Sequence, residues 1–467
     1  MLMLLNPPNP PNRVSNKDVM GGYGQIYDRN CRIKMPVIDI LTTAAVAEKK
    51  GIEVSVVDCP IEGISAEGVL SILSNKRPKI LALRTSTPTF NWDLKIAEAI
   101  KRKYPAIDIV FFGPHASLFA SKIIKNECVD IVAVGEFELT LADLAIKGKE
   151  NTKGIWFKQG DMLFESSESG LVTNLEELPF PAWHLVPYHK YFLGEFARFK
   201  TPSLTMLTSR GCPFNCGYCP YPISQGNKWR FQSPKRVVDE IEYLVNQLGT
   251  KFILMRDAEF CLDGKRVEDI CKGIKERNIN VNWRCETRVD TLDTALIEKM
   301  ADAGCTGINF GIESIDSDVL RNSGRKSYRL DDIKQIVNVC KDSGIDTYCF
   351  FIIGLPGDTK EKVMGTIKFA IELDPTMIQF TVATPYYGTP IREWAVKHGF
   401  LKEESGDNLS GWDVVMRNEY MNERQITTIQ LYANYLCNMR WENIKSRVLE
   451  NGKIQWVKEA VKILLFF

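Results

Sequence analysis

Short strands that are apolar along their whole length alternate with helical stretches twice in this chain, and no single sheet accommodates both series. The first series places strands at 2–5, 53–57, 80–83, 109–112 and 131–134, with helical periodicity at 38–50, 66–74, 91–104, 116–126 and 136–145. Strands with no polar face that alternate with helices demand a parallel sheet covered on both sides. The second series places strands at 203–209, 252–256, 282–287, 307–312, 347–353 and 377–383, with helices near 234–247, 263–277, 291–303, 330–343 and 359–373. Its six units are too few to close the usual eight-stranded barrel. A partial barrel with one open side is expected, with its chemistry on the loops that follow the strands.

The organisation that results is a flavodoxin-like doubly wound domain over 1–148, a linker or covering segment over 149–200, a partial (β/α)6 barrel over 201–400 and a C-terminal helical appendage over 401–467. A ligand of the first domain belongs beyond its strand C-termini, at loops 6–11, 58–63, 85–89, 113–115 and 135–140. Prolines crowd 178–187, which suits a covering segment, and a periodic helical stretch runs over 423–448. The opening Met-Leu-Met-Leu-Leu is cut off by Asn6-Pro7-Pro8 and reads as a buried first strand. The apolar run 461–467 is too short to cross a bilayer and reads as core packing.

A net charge of +1 gives no footprint for nucleic acid, so a small-molecule or lipid substrate is expected. The 13 cysteines at irregular spacings, with no signal-peptide pattern, place the chain in the cytoplasm, with thiols as ligands or core fillers. Three of them stand together in Ser-Arg-Gly-Cys-Pro-Phe-Asn-Cys-Gly-Tyr-Cys, as Cys212, Cys216 and Cys219, directly after the first barrel strand. Three thiolates on one short loop suit three irons of a 4Fe-4S cube, whereas structural zinc usually takes two pairs of ligands from separate loops. The fourth iron is then open to a small chelating ligand, which makes the centre chemical rather than structural.

This triad, with Tyr218 before its last cysteine and a βα barrel behind it, resembles the radical S-adenosylmethionine superfamily. The resemblance implies that Cys212, Cys216 and Cys219 hold the cluster, that S-adenosylmethionine chelates the open iron, and that Tyr218 packs near its adenine. One electron from the cluster then cleaves the sulfonium to methionine and a 5′-deoxyadenosyl radical. Gly311-Ile312-Glu313-Ser314 resembles the run that binds the ribose and amino acid part, through Glu313 and Ser314, and Gly354 opens a loop similar to the adenine-side one. Asp257 and Glu259, after the second barrel strand, are candidates for the methionine amine or for helix caps. Arg284, Glu286 and Arg288 alternate along the third strand and share a face, which suits either a polar substrate site or an ion-pair network.

A flavodoxin-like domain ahead of such a barrel resembles the cobalamin-binding radical enzymes, which include anaerobic magnesium-protoporphyrin ester cyclase and several methyltransferases. The resemblance implies a corrinoid lined by Asn6, Pro7, Thr85, Ser86, Gly113, His115, Gly135, Glu136 and Thr140. Where cobalamin domains of the methionine-synthase type have Asp-x-His-x-x-Gly, this chain reads Asp58-Cys-Pro60-Ile-Glu-Gly63, so that proline replaces the cobalt-binding histidine. His115, His184, His189 and His398 read as packing or surface residues, and Cys31, Cys59 and Cys128 as buried structural thiols rather than a second cluster. Tyr348 and Cys349 entering the fifth strand, and Tyr386 and Tyr387 after the sixth, are the candidate proton or electron relays.

The activity the resemblance implies is methylation of an unactivated carbon, with the radical abstracting hydrogen, the corrinoid delivering methyl, and a flavodoxin or ferredoxin supplying electrons. An oxidative cyclase and a non-catalytic iron-sulfur sensor are the alternatives.

Overall fold

The computed structural model describes residues 1–160, 162–166, 171–198, 200–402 and 409–438. Its first part contributes β1 (Leu2–Asn6), β2 (Arg13–Asn16), β3 (Gln25–Asp28), β4 (Val54–Asp58), β5 (Ile80–Arg84), β6 (Asp108–Phe112), β7 (Ile131–Ala133), β8 (Ile155–Gln159) and β9 (Met162–Glu165). Seven of these form one sheet in the order β4-β1-β5-β6-β7-β8-β9, parallel from β4 to β7. All five residues of β1 and of β5 are buried, as a sheet covered on both faces requires. The switch in strand order falls between β1 and β5, so the ligand crevice opens above loops 6–11 and 85–89.

The first sheet continues past residue 148, where the sequence suggests a linker. The hairpin β8–β9 adds two antiparallel strands to the β7 edge. Ile155 and Phe157 face the core and alternate with half-buried Trp156 and Lys158. The β7 edge of this five-stranded parallel sheet would otherwise stay unpaired. The rest of the covering segment is firmly packed: Trp183 and Tyr191 are buried, and the Tyr191 hydroxyl donates to Asp58 (2.8 Å).

The barrel is built from β10 (Ser203–Met206), β13 (Phe252–Met255), β14 (Asn282–Thr287), β15 (Cys305–Glu313), β16 (Asp346–Ile353) and β17 (Met377–Val382), parallel and in chain order, while β11 (Ser209–Arg210) and β12 (Arg230–Phe231) form a separate antiparallel pair. The sequence begins its helices in a recognisable way. Ser233, Asp263, Asp293 and Thr359 each accept a hydrogen bond from the amide three residues on, capping the helices that cover β13, β14, β15 and β17. Such caps contribute about 1 kcal/mol each.

The C-terminal part is no separate appendage within the described residues. Helix Glu423–Asn438 lies on the outermost strand, and Asn434 both donates to the carbonyl of Phe380 (2.8 Å) and accepts from its amide (3.0 Å). One side chain thereby satisfies the backbone of an edge strand. Residues 439–467, including the run 461–467 and the end of the expected helix, lie outside the described residues.

One helix carries a titratable liability. Glu240, buried in Pro234–Asn246 beside Arg236 (3.3 Å), has its carboxyl pushed up to about 7 by burial, against the lowering by Arg236. The folded chain then holds a proton that the unfolded chain has released, so this group's contribution is greatest near pH 4 and is lost as pH rises towards 7. Glu240→Gln removes the titration. Its stability relative to the parent is expected to rise by about 2–3 kcal/mol between pH 5 and pH 8 in denaturant melts, and a pH-independent difference would contradict the burial argument.

Candidate functional site

The cysteine loop leaves the end of β10 through a turn that only glycine permits. At Gly211 (φ 81°) a β-carbon would strike the carbonyl of Lys228. The loop is then pinned at both ends: the Cys212 amide donates to Gly226 (3.2 Å), the Gly217 amide to Ser323 (2.8 Å), and the Gly217 carbonyl accepts from Ile391 (2.9 Å). Cys212 and Cys216 are buried and Cys219 is half-buried. Burial pushes the Cys212 thiol up to about 11 and the Cys219 thiol further, against the backbone amides of Phe214 and Tyr221 that lower them. Metal binding at such thiols releases protons. Three thiols on one short loop are a donor set that gives each of three irons of a cube its own thiolate and leaves the fourth iron open.

The two carboxylates after the second barrel strand are engaged by backbone and hydroxyl donors. Asp257 is fully buried and accepts from the Thr208 amide (2.7 Å), the Thr208 hydroxyl (2.5 Å) and the Ser209 hydroxyl (2.7 Å), which fixes the chain just before the cysteines. Glu259 accepts from the Arg288 amide (3.1 Å) and from the hydroxyls of Thr287 and Thr291, holding the end of β14. Neither caps a helix. The polar face of β14 is likewise internally paired: Arg284 with Asp346 (3.5 Å), Glu286 with Arg256 (2.5 Å) and Arg288 with Asp290 (2.8 Å). The ion-pair reading of that strand is the one observed.

Glu313 is placed differently. The register of β15 shifts between Gly311 and Glu313, and Glu313 takes a φ of 68°, a region a non-glycine residue rarely occupies. Burial pushes its carboxyl up, against Arg325 (3.8 Å). Tyr218 packs with Val319, Leu355, Ala383 and Ile391 and accepts from Arg325 (3.0 Å). Buried Ser314 accepts from the Asp316 amide (3.2 Å), and the Gly354 amide donates to Asp358 (3.0 Å). Sequence reasoning missed Arg325, which lies beyond the motif and touches four of its elements.

Behind the cysteine loop lies a cleft between the two sheets. It is lined by Asp39 and Arg84 from the first domain, by Gly135, Glu136 and Glu138 beyond β7, and by Arg210, Tyr221 and Arg256 from the barrel. Its walls are clamped by buried ion pairs. Arg230 holds Glu136 through two bonds (2.7 Å each), and Arg210, two residues before Cys212, reaches Glu138 (2.6 Å) and Glu136 (3.6 Å). Arg256 joins Glu286 of the barrel to Asp18 (3.9 Å). None of Asp18, Asp39, Arg84, Glu138, Arg210 or Arg256 stood out in the sequence.

Of the residues expected around a corrinoid, Gly135 and Glu136 line this cleft. Gly113 passes so close to the Arg84 guanidinium that a β-carbon would strike it. Thr85 donates to Asp93 (2.9 Å), Ser86 shares a hydrogen with Thr89 (2.8 Å), and Pro7 and Thr140 are buried. His115 packs against Phe90 and Phe119 and is held neutral by burial, its pKa lowered to about 3. Asp58 ends edge strand β4 and accepts from Asn6 (2.9 Å) and Tyr191, and neither it nor Pro60 or Gly63 is among the residues lining this cleft.

The relay candidates separate as well. Tyr386 and Tyr387 join the domain interface, where Tyr386 meets Tyr23 edge-on (5.8 Å) and the Tyr387 carbonyl accepts from Tyr23 (3.0 Å). Tyr348 lies under Arg284 (3.8 Å) and Cys349 is buried in the core.

The cleft's chemistry suits a corrin bearing many amides. Asp39 Oδ1 and Glu138 Oε2 are buried acceptors without hydrogen-bond partners, and Gly21, Gly22 and Gly135 leave its wall free of β-carbons. Its volume is about 70 Å³, and Asp18, Gly21 and Gly22 from the loop between β2 and β3 form part of its wall.

Comparison with known proteins agrees with both halves. A Radical SAM superfamily model matches residues 206–370, and a B12 binding domain model matches 26–145. An uncharacterized methyltransferase of Pyrococcus horikoshii is 30% identical over 98% of this chain and 96% of its own. The anaerobic magnesium-protoporphyrin IX monomethyl ester cyclase of Cereibacter sphaeroides is 25% identical over 72% of this chain and 56% of its own. The radical S-adenosylmethionine methyltransferase TsrM of Kitasatospora setae, solved with cobalamin and a 4Fe-4S cluster bound, shares the fold with a TM-score of 0.67 at 20% identity, over 85% of this chain and 78% of its own. With the cysteine loop at the end of β10 and a doubly wound domain clamped above it, the chain belongs to the radical S-adenosylmethionine enzymes that carry a B12-binding domain.

Proposed function

We propose that this enzyme methylates an unactivated carbon of a small molecule or lipid, with Cys212, Cys216 and Cys219 as cluster ligands. The observation that carries the reading is the clamp from Arg210, two residues before Cys212, to Glu136 and Glu138, which joins the chain entering the cysteine loop to the C-terminal edge of the first sheet at one cleft. Methyltransferases among the relatives, including a cytidylyl-2-hydroxyethylphosphonate methyltransferase 24% identical over 77% of this chain, support transfer over cyclisation.

When bound, the cluster supplies one electron to S-adenosylmethionine and the corrinoid supplies a transferable methyl group. The chain's own residues do the rest. Tyr218, Glu313 and Ser314 orient the sulfonium cofactor at the rim, Gly354 gives it close backbone approach, and the ion pairs of the cleft exclude water from the space between the two cofactors. Asp39 and Glu138 accept hydrogen bonds from corrin amides. A flavodoxin or ferredoxin delivers the electron.

The test uses reconstituted protein loaded with hydroxocobalamin and given S-adenosylmethionine carrying a deuterated methyl group under a strong reductant. Label recovered in the corrinoid fraction is the expected result. A bound corrinoid that takes up no label would point instead to the cyclase reading, and failure to retain any corrinoid would remove this function.

A further inference from the structure

Arg325 reaches a thiol of the cysteine loop itself. It is a buried side chain on the segment after helix Ser317–Asn322, and its Nη1 lies 3.6 Å from the Sγ of Cys216, within reach of an N–H···S hydrogen bond. The same nitrogen donates to the Tyr218 hydroxyl (3.0 Å), while Nη2 donates to the carbonyl of Gly311 and to the Tyr328 hydroxyl (2.6 Å). These fix the guanidinium in one orientation. Glu313 is its one ion-pair partner among the described residues, at 3.8 Å, farther than the sulfur. Arg288 is a second cation nearby, packed on the rings of Tyr328 (5.3 Å) and of Phe214 in the cysteine loop (4.2 Å).

Resting on the reading of Cys216 as a cluster ligand, we infer that Arg325 is a positioning residue that sets the reduction potential of the cluster through its hydrogen bond to the Cys216 sulfur. Reduction adds one negative charge to the cube and its thiolates. A cation that donates to one of those sulfurs in a site shielded from water stabilises the reduced form and raises the potential. Glu313, close to the same guanidinium, opposes that effect. The pair therefore bounds the driving force with which the cluster gives up its electron.

The experiment is a redox titration of the reconstituted holoenzyme followed by electron paramagnetic resonance. Arg325→Met is expected to make reduction at least tenfold less favourable, a fall of 59 mV or more for a one-electron couple, at unchanged iron and sulfide content. Arg325→Lys keeps the charge but not the forked donor geometry and should fall between, and Glu313→Gln should shift the potential upwards. If Arg325→Met fails to assemble a cluster, the parent protein labelled with nitrogen-15 arginine decides. Hyperfine coupling from nitrogen to the reduced cluster, abolished in Arg325→Lys, supports the contact. No coupling in the parent, or an unchanged potential in a fully loaded Arg325→Met, overturns it. A parent chain that takes up no iron and sulfide instead removes the cluster reading itself, and this inference with it.

Discussion

Alanine at Cys212, at Cys216 or at Cys219 is expected to abolish both the visible absorbance of the reconstituted cluster and the cleavage of S-adenosylmethionine. Each thiolate serves one iron, so losing any of them exposes a second iron to solvent and leaves the cube on two ligands. No neighbouring side chain can take over. The other sulfur-rich part of the barrel, where Cys285 hydrogen-bonds with Cys261 and Cys305, lies between sheet and helices in the buried core. Cys285→Ala is the matched control: it removes one buried sulfur, should cost about 1–2 kcal/mol of stability, and should leave iron content at the parent value. Equal iron content in Cys212→Ala and the parent would sink the assignment.

The second large effect concerns the clamp. Arg210→Met strips the cation from Glu138, which is 1% exposed and whose other oxygen has no partner. Breaking a buried pair from one side costs about 3–5 kcal/mol, because the remaining charge stays desolvated. Burial already pushes the Glu138 carboxyl up, against Arg210, and the upward shift grows when Arg210 is gone. A carboxylate whose folded pKa is raised binds its proton more tightly folded than unfolded, so the deficit should be largest above that pKa and shrink as pH falls through it. Adding Glu138→Leu to Arg210→Met should recover most of the loss. Denaturant melts at pH 5 and pH 8 measure both, and a deficit that is small or independent of pH would show that the pair contributes no more than a surface bridge.

The parts of this molecule that were legible in the sequence are those encoded by local periodicity. Strands such as Leu2–Asn6 and Ile80–Arg84 are apolar on both faces, which dictates a parallel sheet, and the capping residues Ser233, Asp263, Asp293 and Thr359 mark helix starts one at a time. The cysteine triad was legible because all its ligands share one loop. What stayed hidden depends on contacts across long separations. Arg210 and Glu138 are 72 residues apart, and Arg325 and Cys216 are 109 apart. Charged residues of this kind look like solvated surface until the fold buries them. Asp257 and Glu259 stand where a ligand would, and only their hydrogen-bond partners reveal that they hold the backbone. The hairpin β2–β3 is unevenly buried, and its connecting loop contributes Asp18, Gly21 and Gly22 to the cleft wall.

The central claim is that the loop at the end of β10 holds a cluster with one iron open to S-adenosylmethionine. Anaerobically reconstituted protein, incubated with S-adenosylmethionine and a strong low-potential reductant, reports on it directly through the 5′-deoxyadenosine released. The expected result is 5′-deoxyadenosine in proportion to the cluster loaded. A fully loaded protein that binds S-adenosylmethionine yet releases none would contradict the claim.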